Sequence, residues 1–258
     1  MSRLFASALA LAVALASAAC TRETPAEATA PAPAPTTVPL APPPPLGRAD
    51  LLAAVAQAAS AAAAGAPAPE AATGLAGRRF SLRLPFGCAG PQSDAWAGFE
   101  YDAGRETLRL SARPETWTDQ PWVRTLVATD GTEAIEGFWI RRPWMLMEGC
   151  PAVAPLADAA QGDETLGLVQ VFDADGSRLA RRSGRAYQAT EKMSAEPRPG
   201  QGGFRLALEG RVAATELRGP IRCLAASADQ RPVCLVMVEI DRVAFEDASG
   251  RRIAEWTS

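Results

Sequence analysis

The chain has 258 residues, with 26 Lys and Arg against 29 Asp and Glu, five Cys and no His. A formal charge of −3, and a net of about −2 from Gly77 onward, excludes the positively charged footprint of a nucleic-acid binder. The absence of His excludes Ser-His-Asp and Cys-His nucleophiles and imidazole metal sites, and the single lysine, Lys192, has Ala189 three positions ahead, which excludes a Ser-x-x-Lys hydrolase.

The chain opens MSRLFASALALAVALASAAC. Arg3 supplies a positive charge, and Leu4 to Ala16 form an uncharged, Ala- and Leu-rich run of 13 residues. As a helix this run is roughly 20 Å long, short of the roughly 30 Å hydrocarbon core of a bilayer. Residues 1–19 therefore read as an export signal rather than a spanning helix. The small residues Ser17, Ala18 and Ala19 directly before Cys20 resemble the lipobox of bacterial lipoproteins, with Ser17 standing where Leu is usual. The resemblance covers residues 1–20 and concerns the anchor alone. It implies cleavage before Cys20, a diacylglyceryl group on the Cys20 sulfur and a further acyl chain on the new amino terminus. Several chains at ~0.8 kcal/mol per buried methylene make a stable membrane anchor. Thr21 occupies the place of the Asp that marks inner-membrane retention, so the expected location is the periplasmic face of the outer membrane.

Residues 20–48 follow as a tether: TPAEATAPAPAPTTVPLAPPPPLG offers little apolar surface to bury. The 24 residues from Thr24 to Gly47, extended at ~3.1 Å each, reach at most about 75 Å. Residues 49–65 predict an Ala-rich helix over Leu51 to Ala64, with Asp50 as N-cap and Gly65 as its stop. Leu51, Leu52 and Val55 give this helix a small apolar stripe, on which it either docks or simply continues the tether. Residues 66–77 form a second Pro/Ala linker.

From residue 78 to 258 the pattern turns to period two. Phe80, Leu82 and Leu84 alternate with Arg79, Ser81 and Arg83, and Phe204, Leu206 and Leu208 alternate with Arg205, Ala207 and Glu209. TLGLVQVF and PVCLVMVEI are nearly continuous apolar runs that fit central strands. YDAGRET, VATDGTE, FDADGSR and FEDASGR supply the turns. About ten strands with no convincing internal helix predict an all-β domain, an antiparallel sandwich or partly open barrel, in which 202–258 is a possible separate strand unit. With Cys20 assigned to lipid, Cys88, Cys150, Cys223 and Cys234 form an even set in an exported chain, expected to pair. Of the three connectivities, Cys223 with Cys234 closes a short excursion, CLAASADQRPVC, a link worth on the order of 3 kcal/mol in the chain-entropy model. Cys88 and Cys150 then pair over a longer span. A four-thiolate zinc site lacks any Cys-x-x-Cys pair.

Candidate chemistry is sparse, and no catalytic residue, metal site or cofactor is assigned. The Asp173–Gly176 turn lacks the closing acid of a calcium loop. Arg178, Arg181, Arg182 and Arg185 gather in RLARRSGR, a possible contact for lipopolysaccharide phosphates or peptidoglycan carboxylates. The stretch GFWIRRPWMLMEGCP sets Arg141 and Arg142 between Trp139 and Trp144, a possible anion- or glycan-binding surface if Trp139 is not core. The expectation is a lipid-anchored periplasmic protein with a non-catalytic binding or scaffolding role, its partner peptidoglycan, lipopolysaccharide or an envelope protein. The alternative is a cell-wall glycan hydrolase using two carboxylates, although no pair stands out in the sequence.

Overall fold

The longest strand of the protein, Val233–Asp247, organises everything around it. The computed structural model describes residues 41–91, 96–152, 164–174, 181–193, 200, 202–214, 219–225 and 227–257. In chain order these give α1 (Arg48–Ala63), α2 (Glu70–Thr73), β1 (Arg79–Phe86), β2 (Ala97–Asp102), β3 (Thr107–Ala112), β4 (Glu115–Thr116) and α3 (Pro121–Val127). They continue with β5 (Thr132–Trp139), β6 (Leu166–Asp173), β7 (Tyr187–Lys192), β8 (Phe204–Val212), β9 (Ile221–Leu224), β10 (Val233–Asp247) and β11 (Arg252–Thr257).

Two sheets pack as a sandwich that does not close into a barrel. The larger runs β1-β8-β10-β6-β5-β4, with β9 and β11 also paired to β10; the smaller is β2-β3-β7. The pairings are antiparallel except that of β10 with β6, which runs parallel from Cys234↔Leu166 to Met237↔Val169. The segment from residue 202 is woven into the rest, because β8 pairs with β1 from Phe86↔Phe204 to Arg79↔Arg211.

Between the sheets lies the main core. Phe80, Leu82, Leu84 and Phe86 of β1 meet Phe204, Leu206 and Leu208 of β8, and Phe99, Leu108 and Leu110 close it from the small sheet. The alternation read in the sequence is that of buried and more exposed positions except at Ala207, which is itself buried. Strands β5, β6 and the first half of β10 depart from it, because both of their faces are covered. Phe138, Leu166, Leu168, Cys234 and Val236 point to the main core, while Ile135, Trp139, Val169, Leu235 and Met237 join Trp117, Val123 and Val127 in a second one. This two-sided burial is why TLGLVQVF and PVCLVMVEI lack polar alternation.

The second core is roofed by α3, a helix where the sequence pattern gave none. Seven residues are too few for a periodic signal, yet Pro121 sits in the first turn, where its missing N–H costs nothing. Val123 and Val127, four apart, are both buried. Each contributes about 2 kcal/mol by leaving water.

Helix α1 docks on the domain. Leu51, Leu52, Ala54, Val55, Ala58 and Ala59 are buried against the main core. It starts earlier than its sequence indicated: Gly47 is the N-cap, and the Asp50 carboxylate accepts the Gly47 N–H at 2.9 Å from the third helical position. Gly65, at φ +64°, ends it in a Schellman turn, with Ala66 N–H donating to Ala61 O and Gly65 N–H to Ala62 O. The 66–77 stretch contains the short α2. Residues from Pro43 onward belong to one unit. The two disulfides join Cys88 to Cys150 and Cys223 to Cys234, the pairing expected from spacing; the second links directly opposed residues of β9 and β10.

Gly137 on β5 is the tightest point of the second core. A Cβ there would run into the carbonyl oxygen of Leu168 and come within 2.5 Å of the Trp117 ring. Gly137→Ala is therefore expected to destabilise the fold by about 3 kcal/mol, read as a lowered midpoint in urea unfolding. An unchanged midpoint would mean that the Trp117 ring is not packed on this glycine.

Candidate functional site

The most built surface feature is the loop between β5 and β6, beginning at Arg141. Arg142, Pro143, Trp144 and Met145 form a tight turn in which Met145 N–H donates to Arg142 O at 3.0 Å. Pro143 fits the second position of such a turn and is buried, which sets Trp144 at the apex. Trp144, Leu146 and Met147 are 59%, 66% and 60% exposed, far more than the other large apolar residues described.

Behind this tip the loop is firmly held. The Arg48 side chain, only 4% exposed, reaches across from the first turn of α1. Its Nε donates to Met145 O at 2.6 Å, and its Nη2 donates to Arg141 O and Arg142 O, both at 3.0 Å. Burial lowers the Arg48 pKa from the ordinary arginine value, while the negative charge of Glu148 raises it. The returning arm is fixed twice more. Glu148 accepts the Arg83 N–H at 3.0 Å and faces the Arg83 guanidinium at 3.8 Å, and Cys150 is bonded to Cys88. An exposed apolar tip on so rigid a base can bind without first paying to be ordered.

The two arginines of this stretch separate. Arg141 pairs with Glu164 at 2.6 Å and lies 4.0 Å from Glu115. Arg142, at φ +52°, has no carboxylate within ion-pairing distance among the described residues; its Nη2 reaches the Cys88 sulfur at 4.0 Å. Burial lowers its pKa, and the neighbouring Arg141 charge lowers it further. Trp139 is core. Its indole N–H donates to Glu115 at 3.1 Å, beside that of Trp117 at 3.2 Å, and Trp122 stacks on it. Trp139 and Trp144 therefore do not share a surface.

Glu115 and Glu164, both facing Arg141, are a carboxylate pair that sequence alone did not single out. Burial raises the Glu164 pKa from its ordinary value, Arg141 opposes this, and Glu115 adds to it.

The arginine-rich turn is used by the chain itself. Glu136, 3% exposed on β5, accepts the backbone N–H groups of Arg182 at 2.9 Å and Ser183 at 2.6 Å. The Arg182 guanidinium donates to Arg185 O and Ala186 O and stacks 4.4 Å over the Tyr187 ring. Arg181 pairs with Glu133 at 3.4 Å, and Arg185 Nε donates to Arg182 O at 3.0 Å. Arg178, Asp175 and Gly176 lie outside the described residues, as does Cys20. What the sequence presents as a cluster of free guanidinium groups is, at Arg181 and Arg182, a set of internal bonds.

On the small sheet a half-open cavity of about 390 Å³ is lined by Glu100, Arg109, Ser111, Gln188 and Thr190 around Gly98. Its polar groups suit hydrogen bonding to a polar ligand. Among the described residues no three His, Cys, Asp or Glu side chains group to hold a metal ion, and no helix is long and apolar enough to cross a membrane. Sequence reasoning missed Arg48, Glu136, Leu146 and Met147. The Pro-Trp pair in RRPWML was the one available signal, since a turn there puts the indole outermost.

Arg48→Met is expected to cost on the order of 3 kcal/mol, because three part-buried carbonyls lose a charged donor. Amide exchange should quicken at Met145 well before the strands open; equal protection in both proteins would show that Arg48 does not hold the loop. A second expectation concerns Tyr187, whose pKa burial raises above its ordinary value of 10.0. The folded state keeps that proton longer than the unfolded one, so its contribution is complete below pH 10 and is lost as pH rises through the raised value. The melting temperature of the wild type should fall more steeply than that of Tyr187→Phe as pH rises above 10 towards the raised value; parallel curves over that interval would contradict it.

Set against known protein families, curated proteins and solved structures, the chain matches none.

Proposed function

We propose that the chain is a lipid-anchored protein of the periplasmic face of the outer membrane, whose β domain binds or scaffolds rather than catalyses. One observation carries the binding reading: a rigidly based loop holds Trp144, Leu146 and Met147 out in solvent. Large apolar side chains so exposed are unfavourable unless something covers them. The buried acids support the same reading, since Glu136 and Glu246 are committed to backbone amides and to Arg83. The anchor is supported by the residues before Cys20. Lipopolysaccharide and peptidoglycan remain partners to assay, through Arg185 and the groove around Gly98.

A second reading is glycan hydrolysis, favoured by the Glu115 and Glu164 carboxylates that meet at Arg141, with burial moving the Glu164 pKa upward, the direction of a general acid. The ion pair with Arg141 and the two indole donors on Glu115 argue against it, because both hold the carboxylates in structural bonds.

Cys20→Ala should abolish fatty-acid labelling and release the protein from membranes; labelling that persists would sink the anchor. Crosslinking in intact envelopes should recover a covalent adduct through the 141–147 loop. The purified protein should release no soluble fragments from sacculi. Release that disappears in Glu164→Gln would hand the function to the hydrolase reading.

A further inference from the structure

The chain enters the domain beside its exposed loop. Leu46 runs parallel to β1, with its N–H on Arg79 O and its carbonyl accepting from Ser81, and two residues later the Arg48 side chain already grips the backbone of Arg141, Arg142 and Met145. Everything from Cys20 onward that leads to a lipid anchor therefore joins the domain at the side where Trp144, Leu146 and Met147 stand in solvent.

We infer that this tip is a lipid-surface contact: Trp144, Leu146 and Met147 enter the interfacial layer of the bilayer to which the amino terminus is anchored, with Arg142 meeting a headgroup phosphate. The inference rests on the lipid-anchor reading and deepens it. Three observations lead to it. The residue types are those of a membrane interface, an indole at the apex with two flexible apolar side chains beside it. Arg142, next to the apex, has no carboxylate partner among the described residues and offers a guanidinium beside the tip. The tether supplies the rest. Reaching up to about 75 Å, it confines the domain to a thin layer without orienting it, so a contact too weak to hold a free protein becomes effective. The covalent lipid fixes the location, and the tip fixes the orientation, turning the opposite parts of the domain towards the aqueous space.

The test uses the lipidated full chain in vesicles of phosphatidylethanolamine and phosphatidylglycerol carrying brominated acyl chains, which quench tryptophan at membrane depth. Of the six tryptophans, Trp144 is by far the most exposed. Emission of the wild type should be quenched, and Trp144→Phe should remove most of that quenching; Leu146→Ser with Met147→Ser should also weaken it. These positions are in solvent, so the variants keep the fold. Fatty-acid labelling of Cys20 is read in parallel. Labelling without quenching, or equal quenching in wild type and Trp144→Phe, overturns the tip while leaving the anchor standing. Absent labelling defeats the anchor instead; in that case quenching on added vesicles that depends on Trp144 still supports the tip, and its absence overturns it. Crosslinking of the tip to a protein in place of lipid also overturns it.

Discussion

A strand buried on both faces must be covered on both, and β10 imposes that requirement on the rest of the domain. Its first half pairs with β6 and β9 and sends Cys234 and Val236 one way, Leu235 and Met237 the other. Its second half pairs with β8 and β11 and carries Phe245 into the main core. The small sheet and α1 satisfy one side. On the other side α3, Trp117 and Trp139 form a separate, smaller core. Gly137 and Gly167 belong to the same solution, since the Trp117 ring lies where their side chains would be.

The polar interior follows a similar economy. Charged groups that leave water are paired or aimed at backbone: Arg48 at three carbonyls, Glu136 at two amides, Glu246 at Arg83. An unpaired ion in such places would cost several kcal/mol. Arg48 and Glu136 fix loops in this way, whereas Glu246 and Arg83 link strand β10 to strand β1. The 141–150 and 181–186 segments are each held by several such bonds, so an exposed tryptophan on the first is part of a defined surface.

How far the sequence discloses this depends on the range of each interaction. Period-two alternation at Phe80–Leu84 and Phe204–Leu208 is local, and it marks the strands and their buried faces correctly. Apolar runs identify β6 and β10 as central, and the spacing of Cys223 and Cys234 gives one disulfide and leaves the other. The parallel pairing of β10 with β6 has no local signature, because it depends on where the intervening segments travel. α3 is too short for a helical period. The arginine run illustrates the same limit from the other side: composition shows four guanidinium groups near one turn, but only the fold brings up the carbonyls, Glu133 and the Tyr187 ring that occupy Arg181 and Arg182.

The register of β1 with β8 carries a consequence for how the chain reaches this state. Arg79 pairs with Arg211 and Phe86 with Phe204, so the first strand of the main sheet waits for a neighbour from the last quarter of the sequence. β6 similarly waits for β10 to complete its parallel edge. Until those strands emerge, Phe80, Leu82 and Leu84 have no sheet to join, and the cost of closing so long a loop falls early while the reward comes late. β2 with β3 and β5 with β6 can pair locally, but β1 and the parallel edge of β6 stay unpaired until the carboxyl-terminal strands arrive. The unfinished chain therefore depends on whatever shields its apolar strands until then.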